Sequence, residues 1–161
     1  MNTDTLTYNA IGLQSDHSLQ LADELNILLA DYSVFYMNVR GFHWNIKGDK
    51  FFELHAKFEE LYNDLLIKVD EVAERVLTLG ATPLHTYDAY LKVSEVGAVD
   101  NVSNGQAAVQ NILGAFTHLL KRQRAILALS DEAGDEGTNA LMSDYIREQE
   151  KLSWMYRAYL G

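Results

Sequence analysis

The stretch from Lys50 to Leu79 contains neither proline nor glycine, and its apolar residues recur at steps of three and four. A pattern of this length and period predicts one long amphipathic helix. On a wheel of about 100° per residue, one arc of that helix is wholly apolar and predicts its core face. A second arc, which includes Asp64 and Lys68, is polar. The apolar arc contains Phe51, Leu54, Phe58, Leu61, Leu65, Val69, Val72, Val76 and Leu79.

A third arc of the same helix mixes ionisable side chains with apolar ones. Burying an ionisable group without a partner costs several kcal/mol. The carboxylates and imidazoles on this arc therefore need partners, and metal ions bind both kinds of side chain. The ionisable members are His55, Glu59, Asp70 and Glu74, and the apolar members are Phe52, Leu66, Ala73 and Leu77.

The spacing of the ionisable residues argues against a single compact site. His55 and Glu59 are four residues apart, as are Asp70 and Glu74, so each pair can share one ion. The two pairs are separated by about 22 Å of straight helix, which no single ion spans. If two copies of the helix pack antiparallel around a two-fold axis, the His55 end of each meets the Asp70 end of the other. Such a dimer would contain two identical sites, each with ligands from both subunits.

The same residues belong to a longer motif. His43-Trp44 is followed by His55 at a spacing of twelve from the first histidine, then by Glu59, and the run Asp70–Arg75 reads DEVAER. This pattern resembles the Dps family of mini-ferritins (DNA-binding proteins from starved cells). The similarity extends over essentially the whole chain. As a joint pattern it is highly specific, although each piece alone is not.

The resemblance implies that the motif forms a ferroxidase centre between two subunits, with two iron ions at each site. Imidazole and carboxylate ligands suit Fe(II) and leave positions free for an oxidant. The hypothesis is that Glu59 helps to bind the second iron, and that Trp44 is either an electron donor beside the site or a structural aromatic residue. The residues assigned to the first iron are His43, His55, Asp70 and Glu74.

The reaction and the assembly are also expectations from the resemblance. Two Fe(II) ions would be oxidised, by hydrogen peroxide in preference to dioxygen, and ferric mineral would collect in a hollow shell of twelve identical subunits. The protein would then be an iron-storing enzyme that protects against oxidative stress. Two alternatives stay open. One is a DNA-binding protective protein of the same family, and the other is a structural bundle in which His43 and His55 are hydrogen-bonded core residues.

The remainder of the chain predicts an all-α fold. It has one proline, 48% hydrophobic residues and no evident strand pattern. Four long helices with one long connection indicate a ferritin-like four-helix bundle, with a short extra helix in the crossover between helices 2 and 3. We expect one domain over residues 16–161, preceded by a flexible segment over residues 1–15.

Capping signals predict where the helices begin and end. The first long helix is expected to begin at Ser15 or Asp16 and to end near residues 45–48, which places His43 in its last turn. The second is expected from about Asp49 to a stop at Gly80. The later helices are expected over Pro83–Leu91 with Thr82 as the cap, from Ser103 to Ser130 with Ser103 and Gln106 as a capping box, and from about Thr138 to Leu160.

A di-iron site within one subunit is not predicted. The usual di-iron bundle contains Glu-x-x-His twice. None of the five histidines has a glutamate three residues before it, which favours the site between subunits. His17, His85 and His118 carry no supporting pattern. The residues found at that position are Gln14, Arg40, Phe52, Thr82 and Ala115.

A second group of acids lies in the turn DEAGDEG, residues 131–137. The resemblance implies that this region lines three-fold pores, where Asp131, Asp135 and Glu136 would attract Fe(II). Ala140 stands where some relatives have an aspartate. The alternative is a solvated loop that caps a helix.

Composition restricts the remaining functions. The formal net charge is −10 and the first basic residue is Arg40, so the start of the chain offers no basic tail for phosphate contacts, and DNA binding is not expected. The chain has no cysteine, which excludes disulfides and thiol catalysis. There is no signal-peptide pattern and no apolar run of about 18 residues, so we expect no membrane association and a cytoplasmic location in a prokaryote.

Overall fold

The computed structural model describes residues 6–161, and their regular structure is helical apart from one isolated β-bridge. The predicted all-α bundle with a short helix in the long crossover is confirmed. Four long helices form the bundle, and the short helix α3 lies between the second and third of them. The helices are α1 (Ser15–Asn45), α2 (Phe51–Thr78), α3 (Tyr87–Val93), α4 (Gly105–Glu132) and α5 (Glu136–Leu160).

The bundle consists of two helical hairpins, α1 with α2 and α4 with α5, whose apolar faces meet. The apolar arc predicted for α2 is its core face: Phe58, Leu65 and Val72 are fully buried. Aromatic rings join the helices across the core. Phe35 of α1 meets Phe116 of α4 edge to face, with ring centroids 5.4 Å apart. Within residues 6–161, no helix has the length and apolar character that crossing a membrane requires.

The crossover begins differently from the sequence prediction. Thr82-Pro83 does not start a helix, because Asn26 of α1 binds this segment in an extended form: its Nδ2 donates to the Thr82 carbonyl at 3.1 Å, and its Oδ1 accepts from the Leu84 amide at 2.8 Å. Helix α3 starts four residues later than predicted, where the Thr86 hydroxyl caps the Ala89 amide at 3.2 Å.

Two other helix starts were also predicted at the wrong residue. Asn104 caps α4 in place of Ser103, with its Oδ1 accepting from the Ala107 amide at 3.0 Å. Helix α5 begins at Glu136, ahead of the predicted Thr138, because the Asp135 carboxylate accepts from the Thr138 amide at 2.9 Å. In both cases a neighbouring Asn or Asp, which are strong capping residues, satisfies the first free amides.

The described part of the N-terminal segment contacts the bundle. Tyr8 and Gln14 form the isolated bridge, and the Asn9 side chain donates to the Ser18 hydroxyl at 3.0 Å and accepts from the Leu13 amide at 3.0 Å. The flexible segment expected over residues 1–15 stays a prediction, since residues 1–5 lie outside the described part of the chain.

A buried carboxylate joins α1, α4 and the crossover. Asp31 is fully buried, and its Oδ2 accepts from Arg122 Nε at 3.0 Å and lies 2.9 Å from His118 Nε2. Its Oδ1 accepts from the Glu95 amide at 2.8 Å and the Ser94 hydroxyl at 3.0 Å. This cluster, which the sequence did not indicate, fixes the crossover against the bundle and assigns His118 a structural contact.

We expect Asp31→Ala to destabilise the fold strongly. The substitution would leave Arg122 Nε and the Glu95 amide without their acceptor, and each buried donor left unsatisfied costs about 1–3 kcal/mol. The Arg122 guanidinium keeps its ion pairs with Glu24 and Glu95. Urea unfolding measures the loss. The control is Asp144→Ala, because Asp144 pairs with Arg147 on the surface, where 58% and 73% of the two side chains are exposed. That change should cost less than about 1 kcal/mol. Equal small losses in both variants would contradict the prediction.

Candidate metal centre

The α1–α2 connection brings His43 and His55 together. His43 lies in the last turn of α1, and His55 lies one turn into α2. The short link between the helices turns at Gly48, whose φ of 116° is accessible to glycine and strained for other residues. The two imidazole rings stack at a centroid distance of 3.7 Å with 13° between their planes. The two histidines assigned to the first iron are therefore adjacent within one folded chain.

Each histidine binds the main chain of the other. His43 Nδ1 lies 2.7 Å from the His55 carbonyl oxygen, and His55 Nδ1 lies 2.7 Å from the His43 carbonyl oxygen. A carbonyl oxygen can only accept, so both Nδ1 atoms must carry a hydrogen. In the neutral rings, Nε2 then has a free lone pair. This is the tautomer that a metal-binding histidine requires, with its other nitrogen held by a hydrogen bond.

Aromatic side chains fix the orientation of the pair. Phe51 stacks on His55 at 4.9 Å, and Tyr62 meets His43 edge to face at 5.2 Å. His43 is buried, whereas His55 is partly exposed. The two rings consequently form an oriented, metal-competent pair at the end of the α1–α2 hairpin where the link joins the two helices.

The predicted carboxylate ligands do not all join this pair within one chain. Glu59 lies one turn beyond His55 and is exposed, with its Oε1 3.5 Å from the Tyr62 hydroxyl. Asp70 and Glu74 are exposed much farther along α2, about 22 and about 28 Å from His55 by helix rise. Among residues 6–161, no group of three or more His, Cys, Asp or Glu side chains is close enough to hold an ion.

Comparison with known proteins identifies the family. A model of the ferritin-like domain matches residues 22–161. The chain is 43% identical to the DNA protection during starvation protein of Porphyromonas gingivalis, over 92% of this chain and 93% of that protein. The crystal structure of a Dps protein from Vibrio cholerae O1 superposes with a TM-score of 0.96 at 54% identity, covering 99% of this chain and 100% of the other.

The chain belongs to the Dps family of ferritin-like proteins. It is also 55% identical to an uncharacterized protein of Haemophilus influenzae, over 95% of this chain and 96% of that protein. The Vibrio cholerae protein is described as a member of a superfamily of ferritin-like diiron-carboxylate proteins. Membership places this chain among proteins that bind and store iron and have a protective role.

In this Dps protein an aromatic cluster that sequence reasoning missed adjoins the histidine pair. The Arg40 guanidinium lies over the rings of Tyr36, Trp44 and Tyr62, at 5.8, 5.3 and 5.0 Å from their centroids. Trp44 is 59% exposed. The spacing of four residues between Tyr36, Arg40 and Trp44 was a signal that could have indicated this cluster.

The three predicted pore residues in the acidic turn between α4 and α5 differ in their exposure to solvent. Asp131 and Glu136 are exposed. Asp135 is buried: its Oδ1 accepts from Arg75 at 2.6 Å and from the Thr138 amide at 2.9 Å. Its carboxylate is thus used for an ion pair and a helix cap, which leaves Asp131 and Glu136 as the acids that face solvent.

A layer of polar side chains crosses the interior of the bundle. Tyr32 donates to Gln123, Gln123 donates to Gln149 at 2.9 Å, and Gln149 donates back to Tyr32, so the three side chains form a closed ring of hydrogen bonds. Burial raises the pKa of Tyr32 well above its ordinary value and keeps the phenol neutral. The members of this layer are two amides and one phenol, whereas di-iron bundles hold metal with glutamates and histidines.

We expect His43 and His55 in the metal-free protein to be protonated on Nδ1 when neutral. The reciprocal contacts with the two carbonyl oxygens leave no other arrangement. Solid-state NMR of protein with ¹⁵N-labelled histidine measures the tautomer, and single His→Gln variants assign the signals. The exposed His17 is the internal comparison, because no fixed main-chain acceptor determines which of its two nitrogens carries the hydrogen. A signal from Nε2–H at either His43 or His55 would contradict the assignment.

Proposed function

We propose that this Dps protein is a ferroxidase whose active sites form between two subunits related by a two-fold axis. One observation carries the proposal. His55, which stacks on His43 of α1, lies at one end of an arc of α2, and the exposed carboxylates Asp70 and Glu74 lie at the other end of that arc. An antiparallel second copy would bring the carboxylate end of one subunit to the histidine end of the other and form two sites at once.

The apolar residues of that arc support an interface. Phe52, Leu66 and Leu77 are 81%, 50% and 58% exposed, although they alternate with the candidate ligands along α2. Beside Leu66, a groove between α1, α2 and α3 is lined by Met37 and Leu91. Several large apolar side chains exposed on one face of a helix are typical of a protein–protein interface. A second copy covering it would also exclude water from the ligands.

The donor set fits Fe(II) as substrate. Nε2 of His43 and Nε2 of His55 would bind the first iron together with the partner subunit's Asp70 and the partner subunit's Glu74. Glu59 would help to bind the second iron. Two imidazoles and a few carboxylates leave coordination positions open for an oxidant. Hydrogen peroxide accepts two electrons, so two Fe(II) ions at one site and two protons would give two Fe(III) ions and two water molecules. Paired oxidation of this kind releases no hydroxyl radical.

Storage of the product would require a closed shell, for which we propose twelve subunits. Asp131 and Glu136, the exposed acids of the α4–α5 turn, would attract Fe(II) if that turn lines a pore. The net charge of −10 per chain favours cation uptake in the same way. The ion pair between Asp135 and Arg75 would hold the turn in place without offering a free carboxylate.

We expect His55→Ala and Asp70→Ala each to assemble normally and to lose rapid Fe(II) oxidation, because each removes one ligand from every site. Stopped-flow absorbance with peroxide, and separately with dioxygen, measures the rate. His85→Ala is the control, since His85 is exposed and its Nδ1 contacts only the Pro83 carbonyl oxygen at 2.9 Å. Oxidation at the normal rate in either ligand variant would refute the assignment.

Mixed assemblies test whether the ligands come from two subunits. A dimer of one His55→Ala subunit and one Asp70→Ala subunit retains one site with every ligand present and one site lacking both. Random mixing of the two variants should therefore restore about a quarter of the sites, although each variant alone is inactive. A site within one subunit would give no restoration. Assemblies of wild type and His85→Ala set the full rate.

We expect no DNA binding at neutral pH. The curated relative from Porphyromonas gingivalis carries DNA protection in its name, but this chain has a net charge of −10 and its first basic residue is Arg40. Phosphate contacts by Lys and Arg supply nonspecific DNA affinity, and a shell of such subunits would repel the duplex. A plasmid gel shift at low salt is the measurement. Retardation at micromolar protein that disappears at higher salt would contradict this expectation.

A further inference from the structure

Lys68 is a buried lysine on the opposite side of α2 from Asp70. Only 4% of its side chain is exposed, and its Nζ lies between α2 and α5. The ammonium donates to both carboxylate oxygens of Asp64 at 2.8 Å and to one oxygen of Glu148 at 2.9 Å. An ammonium has three N–H donors, so carboxylate oxygens satisfy all of them. Three anionic oxygens thus converge on one point inside the protein surface.

The surroundings of this point favour a positive charge. The ring of Tyr145 lies 5.0 Å from Lys68 Nζ, a distance at which the face of the ring attracts a positive charge. The Tyr145 hydroxyl in turn donates to Glu71 at 2.8 Å, which brings a third carboxylate to the same region. We call Asp64 and Glu148, whose oxygens contact Lys68 Nζ, the α2–α5 acidic pair. Its members come from two facing helices, as metal ligands do in other four-helix bundles.

The geometry would accept a metal ion in place of the ammonium. Hard divalent and trivalent ions bind carboxylate oxygens at about 2.0–2.6 Å. The three oxygens that now surround Nζ would each need to move inward by less than about 1 Å to reach that distance. Asp64 and Glu148 are 41% and 48% exposed, so an ion from solvent could reach the position once it was vacant.

We propose that Lys68 is a specificity-determining residue, whose tethered ammonium occupies a carboxylate site between α2 and α5 and so keeps metal ions out of the subunit interior. The chain provides its own cation where its fold could bind a foreign one. Iron would then be directed to the exposed carboxylates on the other side of α2. The inference goes beyond the interface ferroxidase and does not depend on it, because it concerns a different set of oxygens.

The substitution Lys68→Ala tests the proposal by vacating the position. Terbium(III) is the probe, since it prefers oxygen ligands and its luminescence is sensitised by a nearby tyrosine such as Tyr145. We expect Lys68→Ala to bind one more terbium ion per subunit than wild type. We also expect the difference between the Tm with terbium and the Tm with EDTA to be larger for Lys68→Ala than for wild type, because the ion binds only the folded state.

Two matched variants identify the oxygens. Lys57→Ala removes a lysine from a surface pair with Glu60, at 2.8 Å and with 43% of the lysine side chain exposed, and should gain no ion. The double variant Lys68→Ala with Glu148→Gln should lose the ion gained by the single variant. An extra ion that persists in the double variant, or one that also appears in Lys57→Ala, would overturn the proposal.

Failure of the variant to fold in EDTA is also decisive. In that case we expect terbium to refold Lys68→Ala, because the ion would neutralise the carboxylates that have lost the lysine. Lys68→Ser, a small polar replacement, should behave in the same way. If neither variant gains an ion or is recovered by one, the proposal is wrong. The ferroxidase proposal is judged separately, because an extra ion in Lys68→Ala is expected whether or not wild type oxidises Fe(II).

Discussion

The reciprocal hydrogen bonds between His43 and His55 are the contact on which the rest of the site depends. The His43 carbonyl is one of the last four of α1, which have no partner within the helix, and His55 Nδ1 satisfies it. His43 Nδ1 returns the same bond to α2. One pair of side chains therefore closes the α1–α2 hairpin and, by using both Nδ1 atoms, leaves both Nε2 atoms free for a metal ion.

The parts of the structure that could be predicted are those that follow from helical periodicity and short-range spacing. The apolar arc of α2 is buried because burial follows that period, and His43 meets His55 because a short link joins two helix ends. Helix starts were predicted less well where neighbouring residues can both cap. Asn104 competes with Ser103 for the start of α4, and at Thr82 a distant residue, Asn26, binds the backbone that a helix would have used.

Long-range ion pairs explain what could not be predicted. Asp31 with Arg122, Asp135 with Arg75, and Lys68 with Glu148 each join residues of different helices. On a helical wheel Lys68 belongs to a polar arc, and nothing in that arc distinguishes a solvated lysine from one that turns towards α5. Its partner lies on another helix, so only the packed bundle identifies it. The same holds for Asp135, which was expected to line a pore because of the family resemblance and instead pairs with Arg75.

Charge compensation on α2 then explains why the candidate metal ligands are the outward-facing ones. On the side that faces α5, Lys68 and Arg75 neutralise the nearby acids. Burial lowers the pKa of Lys68, but the hydrogen bonds and charges of Asp64 and Glu148 have the larger effect, so the pKa is raised overall. On the outward side, none of Glu59, Asp70 and Glu74 pairs with a basic side chain of the described residues. A foreign cation gains most where no internal one is present. Of these three acids, Asp70 and Glu74 are the two that a second subunit would have to bring to the histidine pair in the proposed site.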